Sequence, residues 1–232
     1  DTIISGNPPN PSLRSCAPFA FSGDDGGGSG VASFECQLDG GAWETCGSPK
    51  DYTGLIEGSH TFQVWATDKA GNTGATPAGY SWVIDVTPPS VTINQASTQA
   101  DPTGDVPINF TVVFSEAVSG FATGDVMLGG TAGATTATVS GGPTTYNVAV
   151  SGMTANGTVI AGVAAGVAQD AAGNLNAAST STDNSVTYNG IDDIAPDTTI
   201  TSSPPNPSNS RSAQFAFSGD DGGGSGEASF EC

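Results

Sequence analysis

An all-β fold, arranged as β-sandwich domains in tandem, is what this sequence predicts. Three observations carry the expectation: apolar residues alternate with a period of two, turn residues recur between those runs, and the chain repeats itself. Residues 17–21, 32–38, 60–68 and 79–85 read as strands with one buried face. Further along, 90–94, 108–115, 134–141, 146–152, 158–163 and 185–189 read the same way, rich in Val, Ile, Thr, Tyr and Phe. Gly and Pro, 33 and 15 of 232 residues, punctuate the runs. No segment shows a helical period. The stretch 161–172 is Ala-rich, but Gly162 and Gly166 argue against a helix there. About seven short strands per hundred residues is the expectation for an immunoglobulin-like sandwich, with a small barrel as the alternative.

The repeat sets the domain organisation. Residues 197–232 repeat residues 1–36 without a gap, identical at 26 of 36 positions. PPNPS and FAFSGDDGGGSG recur; Cys16 does not, because Ser212 stands in its place. A weaker echo lies within the period, where Asp68-Lys69-Ala70-Gly71-Asn72 matches Asp170-Ala171-Ala172-Gly173-Asn174. The expected units are a sandwich over 1–87, a second over 88–190, and, over 191–232, a linker plus the opening strands of the next copy of the first. Prolines stiffen the joints at Pro88-Pro89 and Pro196. The ends read as a slice of a longer array, with a two-copy duplication as the alternative.

Composition excludes several functions. Acids outnumber Lys and Arg 23 to 4, for a net charge of −19, so there is little to grip nucleic-acid phosphates. No apolar run approaches the ~20 residues of a membrane span. A single histidine, His60, leaves little room for triad or His-metal chemistry; it reads as a surface strand residue. The loop GDDGGGSG lacks the Lys-Ser/Thr ending of a phosphate loop. Of three tryptophans, Trp65 and Trp82 fall on strand patterns and read as core, while Trp43 reads as a hairpin residue open to contact. Asn109 and Asn156 stand in glycosylation sequons; Asn10 and Asn206 are blocked by proline.

From SFECQLDGGAWETC through HTFQVWATDKAGNTG, the first unit resembles the bacterial Ig-like repeats of giant secreted and cell-surface proteins. The run from Ser90, with INFTVVFSEAVSGF, YNVAVSGM and VAQDAAGN, looks like a second bacterial Ig-like repeat type. The resemblance implies extracellular stalks, fibres and adhesins and identifies no ligand. It also carries a pattern in which Cys36 and Cys46, bracketing the turn LDGGAWET, form a disulfide, which places the chain in an oxidising compartment. Two reduced core cysteines are the alternative. Cys232 is the next copy's Cys36, and Cys16 is either free or linked to another chain.

The carboxylates point to the domain ends. In a seven-strand Ig order the B–C and F–G loops sit where the chain enters each domain. Asp24 and Asp25 lie in the first B–C loop, with Asp68 and Asn72 in the first F–G loop. Glu116 and Asp125 lie in or near the second B–C region, with Asp170 and Asn174 in the second F–G loop. The linkers add Asp85, then Asp192 and Asp193, and the next B–C loop brings Asp220 and Asp221. Clustered carboxylates repel unless a cation neutralises them, and Ca²⁺ suits such oxygen donors. Some related stalks bind Ca²⁺ at domain joints, so the resemblance implies the same ion here. The competing expectation is plain Asx turns in F–G hairpins.

The sequence thus predicts a non-enzymatic structural protein: an extracellular stalk or filament of tandem Ig-like domains on a prokaryotic cell surface, serving adhesion or an appendage. Its expected partners are neighbouring copies of itself, in a covalent array or a filament. Two alternatives stand beside it: a subunit that completes another chain's sandwich with 197–232, and a carbohydrate-binding module centred on Trp43.

Overall fold

The computed structural model describes residues 1–222 and 229–231. Strands are the regular elements of the described residues, and none of these residues is helical. Cys232, read as the next copy's Cys36, and the segment 223–228 lie outside them.

The first seven strands are β1 (Thr2–Gly6), β2 (Ala17–Gly23), β3 (Val31–Leu38), β4 (Glu44–Cys46), β5 (Lys50–Tyr52), β6 (Gly58–Asp68) and β7 (Ala78–Ile84). They form two antiparallel sheets, ordered β1-β2-β5 and β4-β3-β6-β7. Alternation decides what each strand buries. Phe19 and Phe21 of β2 meet Phe62 and Val64 of β6 and Trp82 and Ile84 of β7 in one core drawn from both sheets. Each such aromatic or aliphatic side chain contributes about 2–3 kcal/mol by leaving water.

The next seven are β8 (Val91–Gln95), β9 (Ile108–Phe114), β10 (Val126–Gly129), β11 (Thr136–Gly141), β12 (Thr145–Ser151), β13 (Gly157–Val163) and β14 (Ser185–Tyr188). Their sheets are ordered β11-β12-β9-β8 and β10-β13-β14. A separate core joins Ile93, Ile108, Phe110 and Val112 to Val148, Val150, Val159 and Val186. In strand letters A to G this is the ABED/CFG arrangement of an Ig constant-type sandwich. The first domain differs only in its fourth strand, which pairs with the third rather than the fifth.

After each domain's first strand, the chain crosses to the opposite sheet by one parallel bridge, Ser12 to Ile84 and Thr103 to Tyr188. In the first domain this crossing is stitched through the backbone. Ser12 N–H donates to Val83 O at 2.9 Å, and Asp85 N–H donates to Ser12 O at 3.0 Å.

The last hairpin, β15 (Asp197–Ser202) and β16 (Ala216–Asp220), copies β1 and β2 in register and irregularity. Thr198 faces Gly219 and Ile200 faces Phe217, as Thr2 faces Gly23 and Ile4 faces Phe21, with the same register shift one residue later. Here, however, the core side chains are uncovered. Ile200 is 63% exposed and Phe215 53%, whereas Phe19, the counterpart of Phe215, is 0%.

Two sequence expectations are corrected by burial. His60 is 5% exposed rather than a surface residue. It points inward on β6 beside Phe62 and tilts against Trp82 at 5.3 Å. Trp82 is core, but Trp65 is not. It lies on the opposite face of β6 and stacks on Trp43 at 4.4 Å and 15°. Trp43 is therefore half-buried with one ring face covered, not the open contact expected from its hairpin.

Candidate interdomain site

The chain enters the second domain at Asp85, the residue after β7. Its N–H is held by Ser12, and its Oδ1 accepts the N–H of Thr87 at 3.1 Å. Glu116 lies just beyond the end of β9, and Asp170 begins the loop DAAGN after β13. These three bring ligand-capable oxygens within 4.8 Å of one another.

Asp170 is 4% exposed. Its Oδ1 accepts the N–H groups of Gly173 (2.7 Å) and Asn174 (2.9 Å), and its Oδ2 accepts Asn174 Nδ2 at 2.8 Å. Burial pushes its pKa upward, but the bonds from Asn174 and the neighbouring loop amides prevail and hold it below the ordinary carboxylate range. Glu116 goes the other way. Burial raises its pKa first, and the charges of Asp170 and Asp85 raise it further. Two unit charges at 4 Å interact by roughly 1 kcal/mol in water and about 4 kcal/mol near a protein surface, so a cation here would relieve real repulsion.

Asn174 ties this loop to the linker. Its Nδ2 also donates to the backbone oxygen of Asp85 at 3.0 Å. Beside it, Leu13 of the first domain lies against Gly173, since a Cβ added there would sit 3.4 Å from Leu13 Cδ1. The seam borders a cleft of 410 Å³ lined by Pro8, Leu13, Arg14, Cys16 and Ala172. Cys16 is free there, partly exposed.

The remaining residues singled out in the sequence lie elsewhere. Asp125 is at the same end of the second domain, but its Oδ2 accepts Ala122 N–H at 2.7 Å and closes a local turn. Asp24, Asp25, Asp68 and Asn72 line a groove of 180 Å³ at the opposite end of the first domain, together with Asp1. Asp68 repeats the Asp170 loop. It accepts Asn72 N–H and Nδ2, both at 2.8 Å, and these bonds to Asn72 lead the causes that lower its pKa. Asp192 and Asp193 line a third groove with Asn156 and Ile191. Asp220 lies with Asp197 and Ile194 at the start of the copied unit, where it accepts Gly222 N–H at 2.9 Å; Asp221 is 9% exposed.

Sequence reasoning missed two contacts. Ser12 holds the linker at Asp85 and Leu13 lies against Gly173 of the second domain; the recurrence of PPNPS signalled Ser12, and the repeat gave no signal for Leu13, which is Asn209 in the second copy. Asn156, read as a sequon, instead clamps the next linker. Its Nδ2 donates to Ile191 O at 2.7 Å, and its Oδ1 accepts Ile191 N–H at 2.9 Å.

The Cys36–Cys46 disulfide is present, with Cα atoms 5.9 Å apart, joining β3 to β4. His60 Nδ1 pairs with Asp39 at 2.8 Å and Nε2 bonds Ile56 O at 2.8 Å, so both ring nitrogens serve packing.

Residues 85–189 match the family model of the bacterial Ig-like domain, Big_12. The second domain is a bacterial Ig-like domain. The match spans the linker residue Asp85, both loops of the acidic site, and the last strand of this Ig-like domain. No curated protein matches the chain. Among solved structures, the fibronectin(III)-like modules of Clostridium thermocellum CbhA are 12% identical, with 81% of this chain and 94% of that one covered, at a TM-score of 0.37. Protocadherin gammaB7 EC3-6 is 15% identical, with 85% of this chain and 50% of that one covered, at 0.35. Scores this low say nothing of ligands. Bacterial Ig-like domains are commonly extracellular and typically non-catalytic, the disulfide suits an oxidising compartment, and no described helix is long and apolar enough to span a membrane.

Proposed function

We propose that this protein is an extracellular structural spacer, a stalk or filament of tandem Ig-like sandwiches without catalytic turnover, whose domain junction is stiffened by Ca²⁺ held by Asp85, Glu116 and Asp170. The observation that carries the reading is the convergence of those three carboxylates at the point where Asn174 grips the linker. Three carboxylates with water and nearby carbonyls can supply the six to eight oxygens that Ca²⁺ takes. Bound there, the ion would neutralise the repulsion that Asp170 and Asp85 add to the burial of Glu116, and would couple linker to domain.

Calorimetric titration of the chain with Ca²⁺, alongside thermal melting, tests the ion. Binding heat and a higher midpoint for the second domain are expected, with both lost in Glu116→Gln. No heat and no shift at millimolar Ca²⁺ would remove calcium from the reading. The spacer itself is tested by the mass of the native polypeptide, which should be many times 22.8 kDa.

One observation favours a second reading. Among the described residues of the copied unit, Ile200, Phe215, Phe217 (39% exposed) and Phe230 (42% exposed) surround an open apolar groove. A second copy's residues 37–84 would cover it as they cover 1–36, making the protein a strand-exchanged filament subunit. A native mass of 22.8 kDa with concentration-dependent assembly would select that reading.

A further inference from the structure

The two loops DKAGN and DAAGN share one geometry but have different neighbours. In each, the Asn side chain closes on the Asp carboxylate at 2.8 Å, and the Asp accepts the loop amides. Asn174 then spends its remaining side-chain donor on the backbone of the incoming linker at Asp85. No second acceptor for Asn72 Nδ2 stands among the described residues, and Asn72 borders the groove formed with Asp1, Asp24, Asp25 and Asp68.

The sequence holds a segment of the kind that Asn174 grips. Asp85-Val86-Thr87-Pro88 leads into the second domain as Asp193-Ile194-Ala195-Pro196 leads into the copied unit. That copied unit already shows where such a linker lies. Ile194 and Ala195 line a groove with Gly219, Asp220 and Gly222, and a Cβ added at Gly222 would meet Ile194 Cγ2 at 3.6 Å. One period earlier, Gly219 to Gly222 correspond to Gly23 to Gly26, the rim beside Asp24 and Asp68.

We propose that the Asp24–Asp68–Asn72 end of the first domain is a docking surface for a second copy of the linker 192–196, with Asn72 donating to the backbone oxygen at the Asp193 position and the Ile194 side chain covering the Gly23–Gly26 rim. The interface is the Asn174–Asp85 junction repeated at the other end of the period, so every domain in an array is entered through the same grip. The inference rests on the tandem-spacer reading. It goes further by naming the surface and its occupant. The occupant brings two more acids to an acidic rim, so the contact is stronger where a cation is available.

The test extends the 232-residue chain at its N-terminus with its own residues 186–196 and follows side-chain amides by NMR, in Ca²⁺ and in chelator. Asn174 serves as the internal standard. Docking predicts that the Asn72 side-chain amide shifts and exchanges at least tenfold more slowly than in the unextended chain, in one or both conditions. An Asn72 amide unmoved in both, with Asn174 protected, would overturn the proposal. Asn72→Ala should lower the first domain's midpoint more in the extended chain than in the original; an equal loss would also overturn it. A native polypeptide of many periods together with an unmoved Asn72 would sink the docking surface and leave the spacer standing. A native mass of 22.8 kDa would sink the spacer and leave the docking result intact as a contact between separate copies.

Discussion

The two sandwiches differ in where the fourth strand goes, and the difference traces to the placement of one tight turn. In the first domain the turn follows the third strand. Asp39 (φ 51°) and Gly40 (φ 69°) both take left-handed backbone, and Gly41 N–H returns to Leu38 O at 2.9 Å. This tight turn starts the return of the chain, which pairs again from Glu44 opposite Cys36, one residue out of the register of a two-residue hairpin, and the Cys36–Cys46 bond then fixes β4 against β3. In the second domain the turn precedes the fifth strand. Pro143 and Thr144 reverse the chain beyond the left-handed Gly141 (φ 98°) and Gly142 (φ 116°), Gly142 N–H meets Thr145 O at 2.8 Å, and β11 lies along β12 with Gly141 facing Tyr146. Strand count and alternation are alike in both domains. The local turn selects the sheet.

The comparison can be broken most forcefully through the cores. Phe62→Ala and Phe110→Ala, both at fully buried positions, should each cost about 3–5 kcal/mol. If the cores are independent, each loss appears only in its own domain's denaturant transition; a single shared transition for both variants would mean the sandwiches unfold as one. Next in size is the covalent bond. Cys36→Ser with Cys46→Ser should cost the first domain roughly 2–3 kcal/mol on the chain-entropy account and leave the second domain's midpoint where it was.

A smaller effect separates the twin loops. Asn174→Ala strips partners from a buried carboxylate and from the linker carbonyl, so it should cost about 1–3 kcal/mol. Asn72→Ala, in an exposed loop, should cost well under half of that. Equal losses in chemical denaturation would mean the linker bond contributes nothing.

The smallest effects are in pH. His60 has a raised pKa: burial alone would lower it, but the bonds to Ile56 O and Asp39 prevail. The folded first domain therefore binds the proton more tightly than the unfolded chain. Its extra stability is full below about pH 6.5 and fades as pH rises through the folded pKa. His60→Gln should flatten that slope in melts between pH 5.5 and 8. Asp170 has the opposite sign. Its lowered folded pKa gives the second domain stability that is present above the ordinary carboxylate range and is lost as acid drives pH down through the folded value. Glu116, raised, costs stability as pH climbs past its folded pKa. Glu116→Gln should therefore stabilise the second domain slightly at pH 7 without Ca²⁺, and a lowered midpoint would contradict the burial and repulsion that raise Glu116.

Much of this was legible beforehand. The long runs of alternation, such as Phe62, Val64 and Trp82 against Phe19 and Phe21, mark a buried face on any strand, because side chains on a pleated backbone alternate. The strands β1, β4, β5 and β10 were not legible, since their short runs show little alternation and are held by their neighbours, whereas the equally short β14 carries a plain Ser-Val-Thr-Tyr alternation. His60 and Trp65 were misplaced for a related reason. Both sit on β6, one residue type reading as polar and the other as core, yet the even positions face inward whatever they carry, and Asp39 supplies the partner that makes a buried histidine tolerable.

By itself, the sequence determined the sandwich class, the repeat with its matched register, and the concentration of acids in loops at domain ends, because alternation, identity and turn chemistry are local properties. Tertiary structure alone decided which acids meet. Asp85, Glu116 and Asp170 come from a linker and two separate loops, and Asp125, close to Glu116 in the chain, is spent on its own turn. Convergence of that kind depends on how two sheets close over a core and where Asn174 reaches the linker, which no stretch of sequence encodes on its own.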